Sequence, residues 1–180
     1  MTGLIVGRFQ PFHLGHLAMV SCLRRAQPVA RLVLAVGSAQ ESFTPENPFT
    51  AGERVEMIQR SLSEAEIDGC LPVPVADIHQ HAQWAAYLRG LLPPFDVVYT
   101  NNPLTRLLFE RDRIRVESPA LVDREKLQGV VVRRRLVQGI GWQELVPPAV
   151  GRYLEEIGAP DRVRRIAERD AASAASPPPS

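Results

Sequence analysis

The sequence has few of the features that mark secreted, membrane-spanning and nucleic-acid-binding proteins. Its only cysteines, Cys22 and Cys70, stand in no metal-binding or redox spacing, which excludes a disulfide scaffold and predicts two buried thiols in a reducing compartment. No apolar run approaches the about 18 residues that would cross a membrane, and no export signal is recognisable. A formal net charge of +1 provides no general field that would attract nucleic acid or an anionic membrane. We therefore expect a cytoplasmic protein without nucleic-acid or membrane partners, in which any recognition of anions is local.

Length and hydrophobic patterning predict one α/β domain. With 180 residues, of which 45% are hydrophobic and 23% charged, the chain is long enough for one core. Short apolar runs typical of buried strands alternate with amphipathic segments, which favours parallel strands joined by right-handed helical crossovers. We expect a Rossmann-like doubly wound parallel sheet with a small helical C-terminal end. The domain should cover residues 1–170, with the helical part at about 147–170, and residues 171–180 (AASAASPPPS) should form a disordered tail.

Several segments carry signals for their boundaries. Thr50 and Glu53 form a capping box before an amphipathic helix, and Asn102 followed by Pro103 is typical of another helix start. Residues 129–139 are ambiguous, because three consecutive valines favour a strand and the closing glycine favours a helix; we favour the helix. The predicted strands are 3–7, 31–38, 71–76 (near an edge, because of its prolines), 95–100 and 114–119, and the predicted helices are 14–25, 51–64, 82–92, 102–110, 129–139, 147–158 and 161–170.

The stretch GLIVGRFQPFHLGH, residues 3–16, sets two histidines three residues apart where the first strand meets the first helix. In doubly wound sheets, ligands bind at such junctions. The unpaired N–H groups of a helix N-terminus attract phosphate, and His13 and His16 would lie on the same side as those groups. Arg8 adds a permanent cation whose fork matches phosphate, and Gly15 permits a close approach. These residues together predict a polyphosphate-binding site.

Two other roles for this histidine pair are open from the residues alone. A zinc site would need further ligands, and the only other histidines, His79 and His81, lie in a different loop. The pair could also simply cap the helix and pack. The dinucleotide fingerprint GxGxxG and the Walker pattern GxxxxGK[ST] are absent after the first strand, so neither of those phosphate-binding solutions applies. We expect no metal ion held by protein ligands.

The stretch GRFQPFHLGH resembles the HxGH signature of the nucleotidylyltransferase superfamily, and its long form is similar to the archaeal-type nicotinamide mononucleotide (NMN) adenylyltransferases. The resemblance covers nearly the whole chain, from Gly3 to about Leu145. Further blocks follow in the family's order and spacing: GSAQ (37–40), NPFTAGERVEMI (47–58), Asp77-Ile78 with Trp84 seven residues after the aspartate, PPFDVVYTNNPL (93–104) and VRRRL (132–136).

The resemblance implies a reaction and a phosphate site. The enzyme would transfer AMP from ATP to NMN, forming NAD and pyrophosphate. His13 and His16 would hold the ATP phosphates and stabilise charge on the transferring α-phosphate, Arg8 would bind phosphate beside them, and Arg133 would grip the triphosphate from the opposite side. The resemblance also implies Mg²⁺ on the ATP phosphates, with few protein ligands of its own.

The resemblance further implies a site for the pyridine nucleotide. The nicotinamide ring would stack on Trp84 and lie near Asp77 and Ile78, while Asn102 would sit in the same pocket. Each residue also has a plainer reading: Trp84 as a core aromatic, Asn102 as a helix cap only, and Arg133 as a surface charge. The remaining residues that the resemblance assigns to nucleotide binding are Gly7, Phe9, Gln10, Gly15, Ser38 and Gly129.

The chain departs from the family's pattern at three places. The second signature, Ser-x-Thr-x-x-Arg, aligns with QGVVVR (128–133), where Gln128 and Val130 replace the hydroxyl residues. Valine can neither cap a helix nor donate to phosphate, and each lost hydrogen bond to a charged partner is worth about 1.5–3 kcal/mol. His81 stands where the family usually has asparagine, and Glu46 adds an acid to a loop that relatives make more basic.

Two alternatives to an NMN adenylyltransferase follow from these departures. One is another HxGH nucleotidylyltransferase with a different acceptor; the other is a weakened protein that binds ATP or NAD without turnover. Trp84 and Asn102 favour a pyridine nucleotide as the acceptor, although the sequence indicates no preference between NMN and nicotinic acid mononucleotide. Because relatives are commonly oligomeric, the resemblance also implies a homo-oligomer.

Overall fold

The computed structural model describes residues 1–25, 29–119 and 127–175. Within these ranges, strands and helices alternate as the sequence predicts, up to a helical C-terminal end. The strands are β1 (Thr2–Gly7), β2 (Arg31–Val36), β3 (Cys70–Pro74), β4 (Val97–Tyr99) and β5 (Arg115–Glu117). The helices are α1 (Leu14–Arg25), α2 (Ala51–Glu64), α3 (His81–Leu91), α4 (Pro103–Arg111), α5 (Gly129–Gln138), α6 (Pro148–Glu156) and α7 (Ala159–Ala175).

The five strands form one parallel sheet in the order β3-β2-β1-β4-β5. The predicted edge position of the proline-containing strand β3 is confirmed. Gly7 at the end of β1 pairs with Val36 at the end of β2, so the carboxyl ends of these two strands are level. The chain turns to opposite sides of the central strand β1, which creates the crevice where ligands bind in doubly wound sheets.

Helices cover both faces of the sheet, and this confirms the doubly wound architecture. Side chains on alternate strand positions point to opposite faces. Ile5 and Leu34 pack with residues of α1, α2, α5, α6 and α7, whereas Leu4 and Val33 pack with residues of α3 and α4. None of the helices in the described ranges combines the length and apolar character needed to cross a membrane.

The local signals for helix starts are confirmed. The backbone N–H of Glu53 donates to the Thr50 hydroxyl at 3.2 Å, and the Glu53 carboxylate accepts from the backbone N–H of Thr50 at 2.9 Å. Asn102 caps α4 by accepting from the backbone N–H of Thr105 at 3.0 Å. The ambiguous segment 129–139 is helical through residue 138 and ends at Gly139, whose φ of 70° suits glycine.

Two predictions are wrong. Residues 171–175 were expected to begin a disordered tail, but α7 continues to Ala175. Four of these five residues are alanine, which has the highest helix propensity, so a helix already packed against α5 and α6 extends through them. The other five tail residues, 176–180, lie outside the described residues. Cys22 was expected to be buried, but it is exposed on α1; Cys70 is half-buried.

The capping box of α2 gives a test of local stability. Replacing Thr50 by alanine should lower the free energy of unfolding by about 1 kcal/mol, because the N–H of Glu53 loses its acceptor. Urea denaturation measures the difference. Thr50→Ser keeps the hydroxyl and should stay near the wild-type value; an equal loss in both variants would contradict the capping role.

Candidate active site

A cleft of about 440 Å³ lies at the crevice beside the carboxyl end of β1. Three segments that are far apart in the sequence meet there: the β1–α1 junction, the β4–α4 junction and the start of α5. Their helix N-termini bring unpaired N–H groups to one place. The residues of these segments that line the cleft are His13, Gly15, His16, Met19, Asn101, Asn102, Pro103, Leu127, Gln128 and Gly129.

A second cleft, of about 220 Å³, is lined by the β3–α3 loop and by α4. Asp77 and Trp84, which the resemblance assigns to the pyridine nucleotide, both line it, together with the two remaining histidines. Asn102 lines both clefts, so the two cavities meet at this residue. The residues that line this second cleft are Asp77, His79, Gln80, His81, Trp84, Asn102, Leu104, Thr105 and Leu108.

The two histidine rings of the first cleft stack on each other, with centroids 3.6 Å apart and planes inclined by 23°. The backbone N–H of His13 donates to Nδ1 of His16 at 3.2 Å. Because Nδ1 accepts this hydrogen bond, the proton of neutral His16 is on Nε2, which can donate to a ligand. Nδ1 of His13 is buried and has no hydrogen-bond partner among the described residues. Such a buried polar atom normally takes its partner from an ordered water, an ion or a ligand.

Burial keeps both imidazoles neutral at pH 7. It lowers the pKa of His13 from 6.5 to about 4. It also lowers the pKa of His16 well below 6.5, with a smaller contribution from the charge of His13. A bound polyanion would reverse this effect, because a nearby negative charge favours the protonated form.

The turn after β1 shapes the wall against which these rings pack. Phe9 is buried with a positive φ of 50°, and its ring lies 4.8 Å from that of His16, edge to face. A Cβ on Gly7 would lie only 3.0 Å from the Phe9 ring, and a Cβ on Gly15 would lie 3.2 Å from the His13 ring. These three residues fit a role in positioning the histidines.

Gln10 is placed differently from the nucleotide-contacting role that the resemblance implied. Its side chain is buried, and its amide donates to the carbonyl of Phe49 at 2.9 Å and accepts from the N–H of Phe49 at 3.0 Å. Its backbone carbonyl accepts from the Arg133 guanidinium at 2.8 Å. A Cβ on Gly129 would lie 3.2 Å from that carbonyl and 3.1 Å from Arg133. Gln10 therefore joins three segments of the site rather than facing the cleft with its amide.

Arg54 is a site residue that sequence reasoning missed. It is fully buried, and its guanidinium donates to the carbonyls of Arg8 (2.8 Å), Gly37 (2.6 Å), Ser38 (3.0 Å) and Thr50 (3.2 Å). An arginine in an amphipathic helix is usually read as a solvent-exposed charge. The available signal was its helical phase, because Arg54 precedes Met57 and Ile58 by three and four residues and shares their buried face.

Three arginines concentrate positive charge at this edge of the sheet. Burial, and then the charge of Arg8, lowers the pKa values of Arg54 (to about 10) and of Arg133. Glu46 opposes the shift of Arg133 but is itself exposed. In the described part of the chain, no carboxylate forms an ion pair with any of the three arginines. Such a group of cations favours an anionic ligand.

Contacts within the protein fix the positions of two residues of the second cleft, Asp77 and Trp84. The Ser38 hydroxyl donates to the Asp77 carboxylate at 2.6 Å, and the amide of Gln40 makes two hydrogen bonds with the backbone of Asp77. Ile78, next in the chain, is half-buried. Trp84 packs edge to face on Phe109 at 5.7 Å and also lines the cleft, so it is both a core aromatic and a possible stacking surface.

The departures from the family's second signature are visible at the start of α5. Gln128 is the N-cap residue, but its side chain accepts no capping hydrogen bond from the described residues of this helix. Val130 is 57% exposed and offers no polar atom. The backbone N–H groups of the first turn therefore carry the phosphate-binding capacity of this helix end.

The lowered histidine pKa values predict how stability depends on pH. The unfolded chain takes up a proton on His13 near pH 6.5, whereas the folded protein resists this protonation down to about pH 4. The stabilisation is fully present above pH 6.5 and is lost as the pH falls from 6.5 towards 4, about 2 kcal/mol between pH 7 and pH 5 from His13. Denaturant unfolding at both pH values measures the loss. His13→Gln should flatten the profile and His79→Gln, at an exposed site, should not; identical profiles would contradict the assignment.

Comparisons with known proteins identify the family of this chain. A sequence model of the cytidylyltransferase-like family matches residues 4–148. The chain is 42% identical over 165 residues to the nicotinamide-nucleotide adenylyltransferase of Methanolobus tindarius, covering 92% of this chain and 94% of that protein. The corresponding values are 43% over 168 residues (93% and 98%) for the protein of the same name from Methanoculleus marisnigri, and 41% over 175 residues (94% and 99%) for that from Archaeoglobus fulgidus.

Solved structures show the same fold at lower identity. A bifunctional NMN adenylyltransferase/ADP ribose pyrophosphatase from Francisella tularensis superimposes with a TM-score of 0.78 at 21% identity, over 94% of this chain and 53% of that one. The same bifunctional protein complexed with AMP and Mn ion gives a TM-score of 0.74 at 20% identity, with the same coverage. The chain thus spans about half the length of that bifunctional protein. From its sequence matches, the chain belongs to the cytidylyltransferase-like family and, within it, to the family of nicotinamide-nucleotide adenylyltransferases.

Proposed function

We propose that this protein is a nicotinamide-nucleotide adenylyltransferase, which forms NAD and pyrophosphate from NMN and ATP. The observation that carries the proposal is the meeting of two clefts at Asn102. One cleft is lined by stacked histidines and helix N-termini, which suit a polyphosphate, and the other by an indole ring, which suits a pyridine base. A transferase that joins two nucleotides needs two such sites in contact. Relatives named nicotinamide-nucleotide adenylyltransferase align over more than nine-tenths of the chain.

The reaction is an in-line transfer at the α-phosphorus of ATP. An oxygen of the NMN 5′-phosphate forms the new bond to this phosphorus, and the bond to the oxygen bridging the α- and β-phosphates breaks. The electron pair of that bond leaves with pyrophosphate. Such a transfer depends on positioning and on stabilising charge more than on covalent chemistry.

We assign the charge-stabilising role to His13, His16, Arg8 and Arg133. Nε2–H of His16 is free to donate to a phosphate oxygen, since Nδ1 accepts from the backbone of His13. The orphan Nδ1 of His13 would gain a partner when a ligand binds. Arg133, fixed by the Gln10 carbonyl, and Arg8 would balance the triphosphate and the departing pyrophosphate.

Magnesium would bind as part of the substrate, because ATP is used as its Mg²⁺ complex. In the described ranges, no group of three or more His, Cys, Asp or Glu side chains converges on one point, so the residues present fit an ion held mainly by phosphate oxygens and water. Bound in this way, the ion supplies neutralisation of triphosphate charge.

The second cleft would hold the pyridine nucleotide. Trp84 would stack on the nicotinamide ring, and Asp77, fixed by Ser38, would orient it together with Ile78. Asn102, which lines both clefts, would contact this substrate in addition to capping α4. We further propose that the chain up to Ala175, where α7 ends, forms one catalytic domain, and that the protein acts as a homo-oligomer in the cytoplasm without nucleic-acid or membrane partners.

The proposed function is tested by measuring pyrophosphate release with ATP, Mg²⁺ and NMN, and in parallel with nicotinic acid mononucleotide and with phosphopantetheine. NMN should support turnover, and His16→Ala should lower kcat at least about 100-fold, because one preorganised donor to the reacting phosphate is lost. Cys22→Ser, on the exposed side of the same helix, is the matched control and should retain full activity. Turnover only with phosphopantetheine, or binding of ATP without any turnover, would contradict the proposal.

The valine at the start of α5 gives a gain-of-function prediction. Val130→Thr should raise kcat/KM for ATP about tenfold, because it adds a hydroxyl donor beside the bound phosphates. Steady-state kinetics at saturating NMN measure the change. Gln138→Ser, in the last turn of the same helix, is the control and should change nothing. An unchanged kcat/KM for Val130→Thr would show that phosphate does not approach this helix end.

A further inference from the structure

Arg54 carries a buried charge that the mechanism above does not use. It is the only arginine, lysine, aspartate or glutamate among the described residues to be fully buried. Its four hydrogen bonds all go to backbone carbonyls, which are neutral groups. Isolated buried charges are strongly unfavourable in proteins and are normally balanced by a charge of opposite sign. The partner that balances Arg54 is therefore missing from the described part of the free protein.

The position of this charge indicates what the partner is. The carbonyls that Arg54 contacts belong to the ends of β1 and β2 and to the N-cap of α2. One of them is that of Arg8, two residues before Gln10, whose own carbonyl holds Arg133. Burial first, and then the positive charge of Arg8, lowers the pKa of Arg54. A ligand with several negative charges at the histidine cleft would relieve this repulsion.

We propose that Arg54 is a positioning residue for the polyphosphate of ATP: it fixes the loops that present Arg8 and Ser38, and its unpaired buried charge attracts the polyphosphate without contacting it. This inference rests on the proposed function, since it places the triphosphate in the histidine cleft. It assigns Arg54 two separable contributions, the geometry of its hydrogen bonds and its charge. A purely structural residue would make only the first.

Arg54→Lys separates the two contributions, because lysine keeps a charge that can be titrated. Burial lowers the pKa of lysine far more readily into the range of ordinary buffers than that of arginine. The dissociation constant of inorganic tripolyphosphate is measured by calorimetry for the wild type and for Arg54→Lys at pH 7 and pH 9. At each pH, the dissociation constant of the variant is divided by that of the wild type. The titration of the ligand and of the groups that both proteins share cancels in this ratio.

The proposal predicts that the variant loses affinity relative to the wild type by about a further tenfold or more between pH 7 and pH 9, as the lysine becomes neutral. A structural role alone predicts that the variant binds tripolyphosphate more weakly than the wild type by the same factor at both pH values. A constant ratio, or equal affinity of both proteins at both pH values, would overturn the proposal.

Arg54→Met and two control variants complete the design. Arg54→Met removes the charge at every pH and should bind tripolyphosphate at least about tenfold more weakly than the wild type at pH 7. Met57→Ala, at a fully buried position on the same helix, matches the loss of stability and should keep wild-type affinity. Arg60→Met, at a surface arginine paired with Glu56 and Glu156, controls for net charge and should also keep it. Should Arg54→Met not fold, the pH comparison of Arg54→Lys decides the question.

The outcome is distinguishable from failure of the proposed function. Tripolyphosphate binding needs neither NMN nor turnover. Absent turnover with NMN, together with a pH-dependent ratio, would contradict the proposed function and leave Arg54 as a counter-charge for a polyphosphate. Normal turnover together with a constant ratio would overturn only the role of Arg54.

Discussion

The carbonyl groups at the carboxyl ends of β1 and β2 converge on one buried guanidinium, that of Arg54. Parallel pairing makes these strand ends level, and the N–H of Gly37 donates to the carbonyl of Gly7 at 2.9 Å just where the ladder stops. Beyond that point the chains would be free to separate. The fork of Arg54 holds both of them, and also the N-cap of α2, in one arrangement. Asp77 of the second cleft is tied to this arrangement through its hydrogen bond with Ser38.

A second set of contacts ties this frame to the helix that closes the cleft. The side chain of Gln10 forms two hydrogen bonds with the backbone of Phe49, and its carbonyl accepts from Arg133, so Gln10 connects α5 to the turn that precedes His13. Gly129 permits the approach, because any Cβ there would crowd both Arg133 and the Gln10 carbonyl. The histidines are thus held on a frame built by hydrogen bonds from segments up to 123 residues apart. Preorganisation of this kind is what phosphoryl transfer requires.

Among the described residues, no carboxylate forms an ion pair with the cations of this frame. Burial, and then the charge of Arg8, lowers the pKa values of Arg54 and Arg133, and burial keeps the imidazoles neutral. The same burial that destabilises positive charge in the free protein strengthens its interaction with a bound anion, because the local dielectric constant is low. Under the proposed function, this frame suits a ligand with several negative charges, and the neighbouring cleft around Trp84 would supply the specificity for one nucleotide.

The fold could be predicted well because its signals are local. The capping box at Thr50 and the Asn-Pro start of α4 lie within four residues, and apolar runs mark the strands. The histidine junction could be predicted equally well, because the end of the first strand, the two histidines and the start of the first helix are neighbours in the sequence. The positions of Gln10 and Arg54 could not be predicted in this way. The partners of their side chains lie up to 46 residues away, and the sequence does not show whether a polar side chain faces water or a carbonyl. The extension of α7 and the exposure of Cys22 were missed for a related reason, since composition does not fix which residues pack.

In the described part of the chain, no carboxylate pairs with the cations at this edge of the sheet, and we propose that a bound polyphosphate supplies the counter-charge. The most direct measurement is the free energy of unfolding of the wild-type protein at pH 7 with inorganic tripolyphosphate, compared with sodium chloride at the same ionic strength. Tripolyphosphate should raise the free energy of unfolding with the logarithm of its concentration, by about 2.7 kcal/mol at one hundred times its dissociation constant. A rise no larger than that with sodium chloride would contradict the proposal.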